Sequence, residues 1–142
     1  MRVTMSTFEP EIIVFSCEWN PYIGADNAGA DRKPYPPNVK IVKVNCTGRI
    51  TTAFLLRAFR GGAHGVLVAA CGLGECHHVS GNEECRKRVE EARSLLAASG
   101  IDTKRLAMES FSDVRGSTFA SVMERFVKRI RKLGPMAVKV AV

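Results

Sequence analysis

The sequence predicts a single α/β domain with a mostly parallel four-stranded sheet and helices on both faces, of the flavodoxin/Rossmann-like class. Short runs of β-branched residues alternate with helical patterns, as in strands joined by right-handed crossover helices. One run is apolar throughout, which is typical of a strand buried on both faces. The 142 residues, 46% of them hydrophobic, are sufficient for one core, and no linker or internal repeat divides residues 1–142.

The first half of the chain contains two strand patterns separated by a polar stretch. Residues 12–15 are β-branched or aromatic and predict the first strand, which ends at Cys17. Residues 18–37 are rich in glycine, aspartate and proline, so they predict a long loop. A loop of that length favours a functional or interface role. Residues 39–44 predict the second strand, which ends at Cys46.

A helix and a buried strand are expected next. Thr51 or Thr52 is expected to cap the helix, and the glycine pair at 61–62 to end it. The residues expected to share its apolar face are Phe54, Leu55, Ala58 and Phe59. The apolar run 65–70 then predicts a fully buried third strand, which ends at Cys71.

The second half repeats this alternation. Asn82 is expected to cap a helix that continues to about Ser99. The residues expected to face inward on this helix are Val89, Ala92, Leu95 and Leu96. Residues 106–109 predict a weaker fourth strand.

The last helix has the clearest pattern in the chain. Ser117 or Thr118 is expected to cap it, and Gly134-Pro135 to end it. Its amphipathic stripe consists of Phe119, Val122, Met123, Phe126, Val127 and Ile130, which we interpret as core. A short apolar tail, residues 136–142, could add an edge strand or dock on a partner.

The net charge is strongly positive. Lysine and arginine number 21 against 14 acidic residues, a formal charge of +7. Such an excess suits an acidic protein, an anionic cofactor, a nucleic acid or an acidic membrane surface. Five cations crowd the end of the last helix: Arg125, Lys128, Arg129, Arg131 and Lys132. Because no aromatic residues alternate with them as base stacking requires, a solvated basic face is favoured and nucleic acid is not expected as a partner.

The sequence also predicts a location. No apolar run reaches the length of about 18 residues that a membrane span needs, so no span is expected. Residues 1–6 lack the apolar segment of a signal peptide. We therefore expect a cytoplasmic protein, in which the five cysteines do not form a disulfide framework.

Four of the five cysteines are predicted to meet at one edge of the sheet. Cys17, Cys46 and Cys71 each end a different strand, and Cys76 follows in a glycine-bearing loop. Ligands of open parallel sheets bind at the carboxyl ends of the strands. Four thiolates suit an iron–sulfur cluster and equally a structural zinc ion. The fifth, Cys85, lies on the next predicted helix.

Three functions follow from these observations. The first is electron transfer through an iron–sulfur cluster. The second is a zinc-stabilised binding module whose basic helix meets an acidic partner or nucleic acid. The third, a thiol-dependent sensor or reductase, is disfavoured. A cysteine-phosphatase loop would need arginine where the chain has His77, and there is no Cys-x-x-Cys pair for disulfide exchange.

Four sequence blocks carry a family resemblance. In order, they are Cys17-Glu18-Trp19 with Tyr22 and Gly24-Ala25-Asp26; Val44-Asn45-Cys46-Thr47-Gly48-Arg49-Ile50; Gly62-Ala63-His64-Gly65-Val66-Leu67-Val68; and Gly74-Glu75-Cys76-His77-His78 with Gly81-Asn82. Together they resemble the delta subunit of methyl-viologen-reducing hydrogenase, the MvhD family of methanogenic archaea and relatives. The resemblance covers roughly residues 10–133, the motif-bearing part of the chain.

The resemblance implies one 2Fe-2S cluster with Cys17, Cys46, Cys71 and Cys76 as its ligands. It further implies an electron-transfer subunit of an oxidoreductase complex that does no bond-making chemistry itself. Family members connect a hydrogenase, or in some organisms a formate dehydrogenase, to the flavin-bearing A subunit of heterodisulfide reductase. Electron bifurcation takes place at that flavin, in energy metabolism of the methanogenic type.

One departure from the family pattern concerns the ligand set. Many members have a second cysteine just after the tryptophan, where this chain has Asn20. Cys85 is therefore kept as a reserve ligand, although a structural thiol is the favoured interpretation. His77 and His78, beside Cys76, are expected to hydrogen-bond the cluster or lie in solvent rather than replace a thiolate.

Four further residues near the cysteines have two open interpretations each. Trp19 and Tyr22 either shield the cluster from water or pack the long loop. Lys43 and Arg49 either offset the charge of the cluster or are simply solvated, and Arg49 could also clamp a carboxylate of a partner.

Overall fold

The sheet contains four parallel strands, which confirms the predicted fold class. The computed structural model describes residues 8–136. The strands are β1 (Ile12–Cys17), β2 (Val39–Val44), β3 (Gly65–Cys71) and β4 (Leu106–Phe111), in the order β2-β1-β3-β4. The helices are α1 (Asn20–Ala30), α2 (Thr52–Arg60), α3 (Gly81–Ala98) and α4 (Gly116–Leu133). The strand order reverses between β1 and β3, which places the ligand-binding crevice of such sheets at their carboxyl ends.

Helices cover both faces of the sheet, as predicted. On one face, Phe15 and Val66 pack with residues of α2 and α3 such as Leu55 and Leu96. On the other face, α4 packs against the sheet through its apolar stripe, with Phe119, Met123 and Ile130 fully buried, and α1 lies against α4. Every residue of β3 is buried because both cores meet on it.

The prediction of a loop over residues 18–37 is wrong, because α1 occupies residues 20–30 of that stretch. Pro21 stands in the first turn of α1, where its fixed φ favours a helix. The buried side of α1 consists of small residues, including Gly24 and Ala28, so it has almost no hydrophobic periodicity to read. A Cβ on Gly116 of α4 would lie 2.6 Å from Cα of Ala28. The two helices therefore touch backbone to backbone.

Replacing Gly116 with alanine should lower the free energy of unfolding by about 1–3 kcal/mol, because the new methyl group meets backbone that cannot move aside. Denaturant unfolding measures the change. Gly29→Ala is the matched control, since nothing lies within 4 Å of its Cβ position. That control should be neutral or stabilising by up to about 1 kcal/mol, as alanine favours helix. Equal stabilities of the two variants would contradict the close contact of α1 and α4.

Several predicted helix ends and faces need correction. Thr51 caps α2 as expected, accepting from the backbone N–H of Phe54 at 3.1 Å. Asn82 does not cap α3, because it lies inside the helix and the N-cap position is Ser80. Arg115, rather than Ser117 or Thr118, precedes α4.

Two residues predicted to be inward are largely exposed: Phe54 at 44% and Leu95 at 46%. Each lies on the solvent side of its helix, since Leu55 and Leu96 already fill the places against the sheet.

The basic residues at the end of α4 are exposed, in agreement with the predicted solvated face. Arg131 forms an ion pair with Glu9 at 2.9 Å. The tail predicted from Met136 onward lies outside the described residues except for Met136 itself, which packs against the α2–α3 side of the sheet. No helix among the described residues is long and apolar enough to cross a membrane.

Candidate metal centre

The fold gathers four cysteines at the carboxyl edge of the sheet. Cys17 and Cys71 end the adjacent strands β1 and β3, and their sulfurs are 3.7 Å apart. Cys46 follows β2, Cys76 lies in the loop before α3, and their sulfurs are 3.6 Å apart. The predicted convergence of the cysteines therefore takes the form of two pairs.

The spacing within each pair is that of two ligands of one metal ion. Two thiolates bound tetrahedrally at a metal–sulfur distance of about 2.3 Å have sulfurs roughly 3.8 Å apart. Both pairs match this value. Within residues 8–136, no three His, Cys, Asp or Glu side chains form a group that could hold a metal ion. The arrangement offers two ligands at each of two neighbouring positions.

Backbone N–H groups point at the cysteine sulfurs. Those of Gly48 and His78 donate to Sγ of Cys46 and Cys76, each at 3.4 Å. The N–H of Trp19 donates to Cys17, and those of Gly81 and Asn82 donate to Cys76. Such donors stabilise thiolates and clusters, and in iron–sulfur proteins they tune the reduction potential.

Three of these thiols, Cys17, Cys46 and Cys76, differ in how readily they ionise. Burial raises the pKa of Cys17 to about 12, and the charges of Cys71 and Cys46 act in the same direction. Burial also raises the pKa of Cys46. Burial acts against ionisation of Cys76 too, but backbone donors led by His78 and Asn82 lower its pKa. Ionising Cys17 and Cys46 at neutral pH therefore requires a compensating positive charge, such as a bound metal supplies.

Gly81 makes room for the second pair. A Cβ on this residue would collide with Sγ of Cys46 and lie 3.3 Å from Sγ of Cys76. Gly48 packs closely against Gly81, since a Cβ on Gly48 would lie 2.9 Å from Cα of Gly81. Arg88 of α3 donates to the carbonyl oxygens of Gly48 and Ile50, which fixes the turn that carries Cys46 against α3. The first turn of α3 thus forms one wall of the site.

Comparisons with known proteins show the family of this chain. The family described as methyl-viologen-reducing hydrogenase, delta subunit, matches residues 12–134. The iron-sulfur D subunit of the F420-non-reducing hydrogenase of Archaeoglobus profundus is 43% identical over 128 residues, covering 90% of this chain and 93% of that protein. The chain belongs to the methyl-viologen-reducing hydrogenase delta-subunit family.

Two further relatives of this delta-subunit chain show different arrangements. The vhc iron-sulfur D subunit of the F420-non-reducing hydrogenase of Methanococcus voltae is 39% identical over 132 residues, covering 93% of this chain and 92% of that protein. The A subunit of the ferredoxin:CoB-CoM heterodisulfide reductase of Methanosarcina mazei is 37% identical over 127 residues, which are 89% of this chain but 16% of that protein. The same domain therefore occurs as a separate chain and as part of a longer one.

Two asparagines hold the cysteine loop, a role that the sequence did not predict for either of them. Asn82 donates to the carbonyl oxygens of Cys71 and Gly72 at 3.2 and 3.0 Å. Asn20, at the position of the missing family cysteine, donates to the carbonyl oxygen of Phe111 and to Glu75. An asparagine at the start of a predicted helix is typical of an N-cap. No signal in the sequence indicated that Asn82 instead bonds to the end of β3.

Cys85 belongs to neither of the two cysteine pairs. It is fully buried in the core between the sheet and α3, beside residues such as Val89 and Phe59. Burial raises the pKa of its thiol to about 11, while Arg88 and Thr47 act against this shift. This environment is that of a structural thiol, and its role as a reserve ligand stays a prediction.

The remaining residues singled out in the sequence surround the site at different depths. Trp19 stacks on His77, with ring centroids 3.9 Å apart and planes 9° apart. The ammonium group of Lys43 lies 5.0 Å from the ring centre of Tyr22. Arg49 and His78 line a cleft of about 290 Å³ that opens beside Cys46. The cationic side chain of Arg49 thus lines the cleft beside Cys46, a member of the second pair.

Proposed function

We propose that this chain is an electron-transfer subunit that carries one 2Fe-2S cluster. The ligands would be Cys17 and Cys71 on one iron and Cys46 and Cys76 on the other. The observation that carries the proposal is the division of four thiols into two pairs, 3.7 and 3.6 Å apart. A binuclear cluster needs two protein ligands per iron, whereas a single tetrahedral zinc ion needs four thiols around one point.

The surroundings of the thiols fit such a cluster. The glycine wall at Gly81 leaves room for sulfur atoms, and backbone N–H groups are directed at the ligands. The indole N–H of Trp19 is buried and has no acceptor within the described part of the chain. A bound 2Fe-2S cluster would supply reversible one-electron chemistry. The chain's own residues hold the ligands, exclude water and provide hydrogen-bond donors.

Partner proteins are proposed from the relatives. Those with the same extent are named as iron-sulfur D subunits of F420-non-reducing hydrogenases. In Methanosarcina mazei a similar segment forms part of the A subunit of heterodisulfide reductase. We propose that this chain passes electrons from a hydrogenase, or a formate dehydrogenase, to the flavin of a heterodisulfide reductase A subunit for electron bifurcation. A domain found within the A subunit in one organism is suited to contact the A subunit as a separate chain in another.

Exposure indicates where electrons would enter or leave. Cys17, Cys46 and Cys71 are buried, whereas Cys76 is partly exposed. The loop that carries Cys76 also exposes Leu73 and Val79, at 70% and 83%. A redox partner that docks at this edge would approach the cluster through Cys76 over the shortest distance.

Metal analysis of anaerobically purified protein tests the proposed cofactor. We expect about two irons and two acid-labile sulfides per chain, as the cluster formula requires. Reduction with dithionite should give the rhombic EPR signal of a reduced 2Fe-2S cluster. Zinc without sulfide, and no EPR signal, would contradict the proposal and favour the zinc-stabilised binding module.

The ligand set is tested by comparing two cysteine variants. Cys71→Ser should lose most of the iron and visible absorption, because it removes one member of a pair. Cys85→Ala, the matched control, should keep both and lose only about 1 kcal/mol of stability from the small cavity it leaves. Iron per chain and the visible spectrum of each anaerobic preparation give the answer. Loss of iron in Cys85→Ala with retention in Cys71→Ser would reverse the assignment.

A further inference from the structure

We propose that the indole N–H of Trp19 donates a hydrogen bond to the 2Fe-2S cluster and keeps its reduction potential higher than it would otherwise be. This inference rests on the proposed function, since it assigns one residue of this chain a role toward that cluster. The role is one of tuning, because the indole neither binds iron nor carries the electron.

The first observation is the state of the indole N–H. Nε1 of Trp19 is buried from solvent and has no hydrogen-bond acceptor among the described residues. A buried N–H without an acceptor costs free energy, so such groups are rare and call for an explanation. Because indole nitrogen can only donate, its partner must be an acceptor. The sulfides of a cluster held by the cysteine pairs would be acceptors of this kind.

The second observation is the position of the ring. The backbone N–H of Trp19 donates to the sulfur of Cys17, which belongs to the first pair. The ring stacks at 3.9 Å on His77, the neighbour of Cys76 in the second pair. Trp19 is therefore tied through its backbone to the first pair and through its ring to the residue that follows a member of the second pair. The stack also fixes the orientation of the N–H.

The direction of the effect follows from charge. Reduction adds an electron to the cluster, which makes its sulfurs more negative and strengthens any hydrogen bond donated to them. A donor therefore stabilises the reduced state more than the oxidised state and raises the potential. Removing the donor should lower the potential while leaving the four thiolate ligands in place.

The main experiment uses the loaded wild-type protein. Trp19 is the only tryptophan in the chain, so labelling with indole-¹⁵N tryptophan marks a single Nε1 atom. Pulsed EPR of the dithionite-reduced protein should then detect a ¹⁵N coupling to the cluster. This readout does not depend on a variant folding or on electron transfer to a partner.

Substitutions provide the second readout. Trp19→Phe keeps a ring to stack on His77 but removes the N–H. At a fixed redox poise, its ratio of reduced to oxidised cluster should fall roughly threefold to tenfold, tenfold corresponding to about 59 mV for one electron. Tyr22→Phe is the matched control, since Tyr22 lies in the first turn of α1 shortly after Trp19, and the substitution removes a hydroxyl group while keeping the ring that lies beneath Lys43. Its ratio should equal that of the wild type.

The outcomes separate the two proposals. A ¹⁵N coupling together with a lowered potential in Trp19→Phe supports the hydrogen bond. A loaded wild-type protein without the ¹⁵N coupling overturns this inference and leaves the proposed function intact. Wild-type protein that contains no iron and no sulfide overturns the proposed function, and this inference with it.

Discussion

Gly81→Ala should abolish binding of the proposed cluster while the domain remains folded. The added methyl group would collide with Sγ of Cys46 and lie 3.3 Å from Sγ of Cys76. Cys46 would then leave its place opposite Cys76, and one iron would lose a ligand. Changes to groups that orient metal ligands cost about 10–100-fold in affinity, and displacing a ligand should cost at least that. Iron per chain after anaerobic gel filtration measures the loss.

The control for this variant is Gly29→Ala on α1, which adds a methyl group where nothing lies within 4 Å. It should retain full iron. Far-UV circular dichroism should show the same helix content in both variants, because alanine is compatible with helix at either position. If Gly81→Ala keeps the iron and spectrum of the wild type, the first turn of α3 is not a wall of the cluster site.

Phe119→Ala should produce a large loss of stability. The Phe119 side chain is fully buried, with its ring centre 5.3 Å from that of Tyr35 and 6.0 Å from that of Phe111. Truncating a buried phenylalanine costs about 3–5 kcal/mol, from lost burial and from the cavity left behind. Anaerobic denaturant unfolding, followed by circular dichroism, measures the change in the free energy of unfolding.

Phe54→Ala serves as the comparison, because Phe54 is 44% exposed on α2. Its cost should remain under about 1 kcal/mol, as is usual for surface positions. Similar losses in the two variants would mean that the stripe of α4 is not the core of its side of the sheet.

The end of β4 connects the core around Phe119 with the cysteine site. Phe111 packs on Phe119 through its ring, while its carbonyl oxygen accepts from the N–H of Gly72 and from the side chain of Asn20. Packing of α4 thus stabilises the end of β4, to which the cysteine loop is hydrogen-bonded through Gly72. Phe119→Ala should consequently loosen the cluster as well as the fold, visible as faster loss of absorption in air than in Phe54→Ala.

Much of the fold could be predicted because its signals are local. The stripe from Phe119 to Ile130 repeats at helical spacing, and the apolar run of β3 needs no partner to be recognised. The ends of three strands could also be predicted, since a cysteine is the last residue of β1 and β3 and a cysteine follows β2. Parallel connectivity then predicted that these cysteines meet, because the carboxyl ends of parallel strands share one edge.

Two of the errors arose where small or polar side chains act through distant contacts. The buried side of α1 includes Gly24 and Ala28, whose value lies in letting the backbone of α4 approach. Small residues leave no apolar periodicity, so this segment was predicted to be a loop. Asn82 was predicted to be a cap because its local context is that of one, whereas its side chain bonds to the strand end at Cys71.

By itself, the sequence determined the alternation of strands and helices from β2 onward, the core face of α4 and the edge of the sheet where four cysteines gather. Only the tertiary structure decided that these thiols form two pairs, Cys17 with Cys71 and Cys46 with Cys76, and that Cys85 lies in the core instead. The physical reason is the distance along the chain over which each signal acts. Hydrophobic periodicity involves residues within a few helical turns of one another. The pairing of the cysteines instead involves residues far apart in the chain, which the strand order and the glycine contacts of α3 bring within a few ångströms.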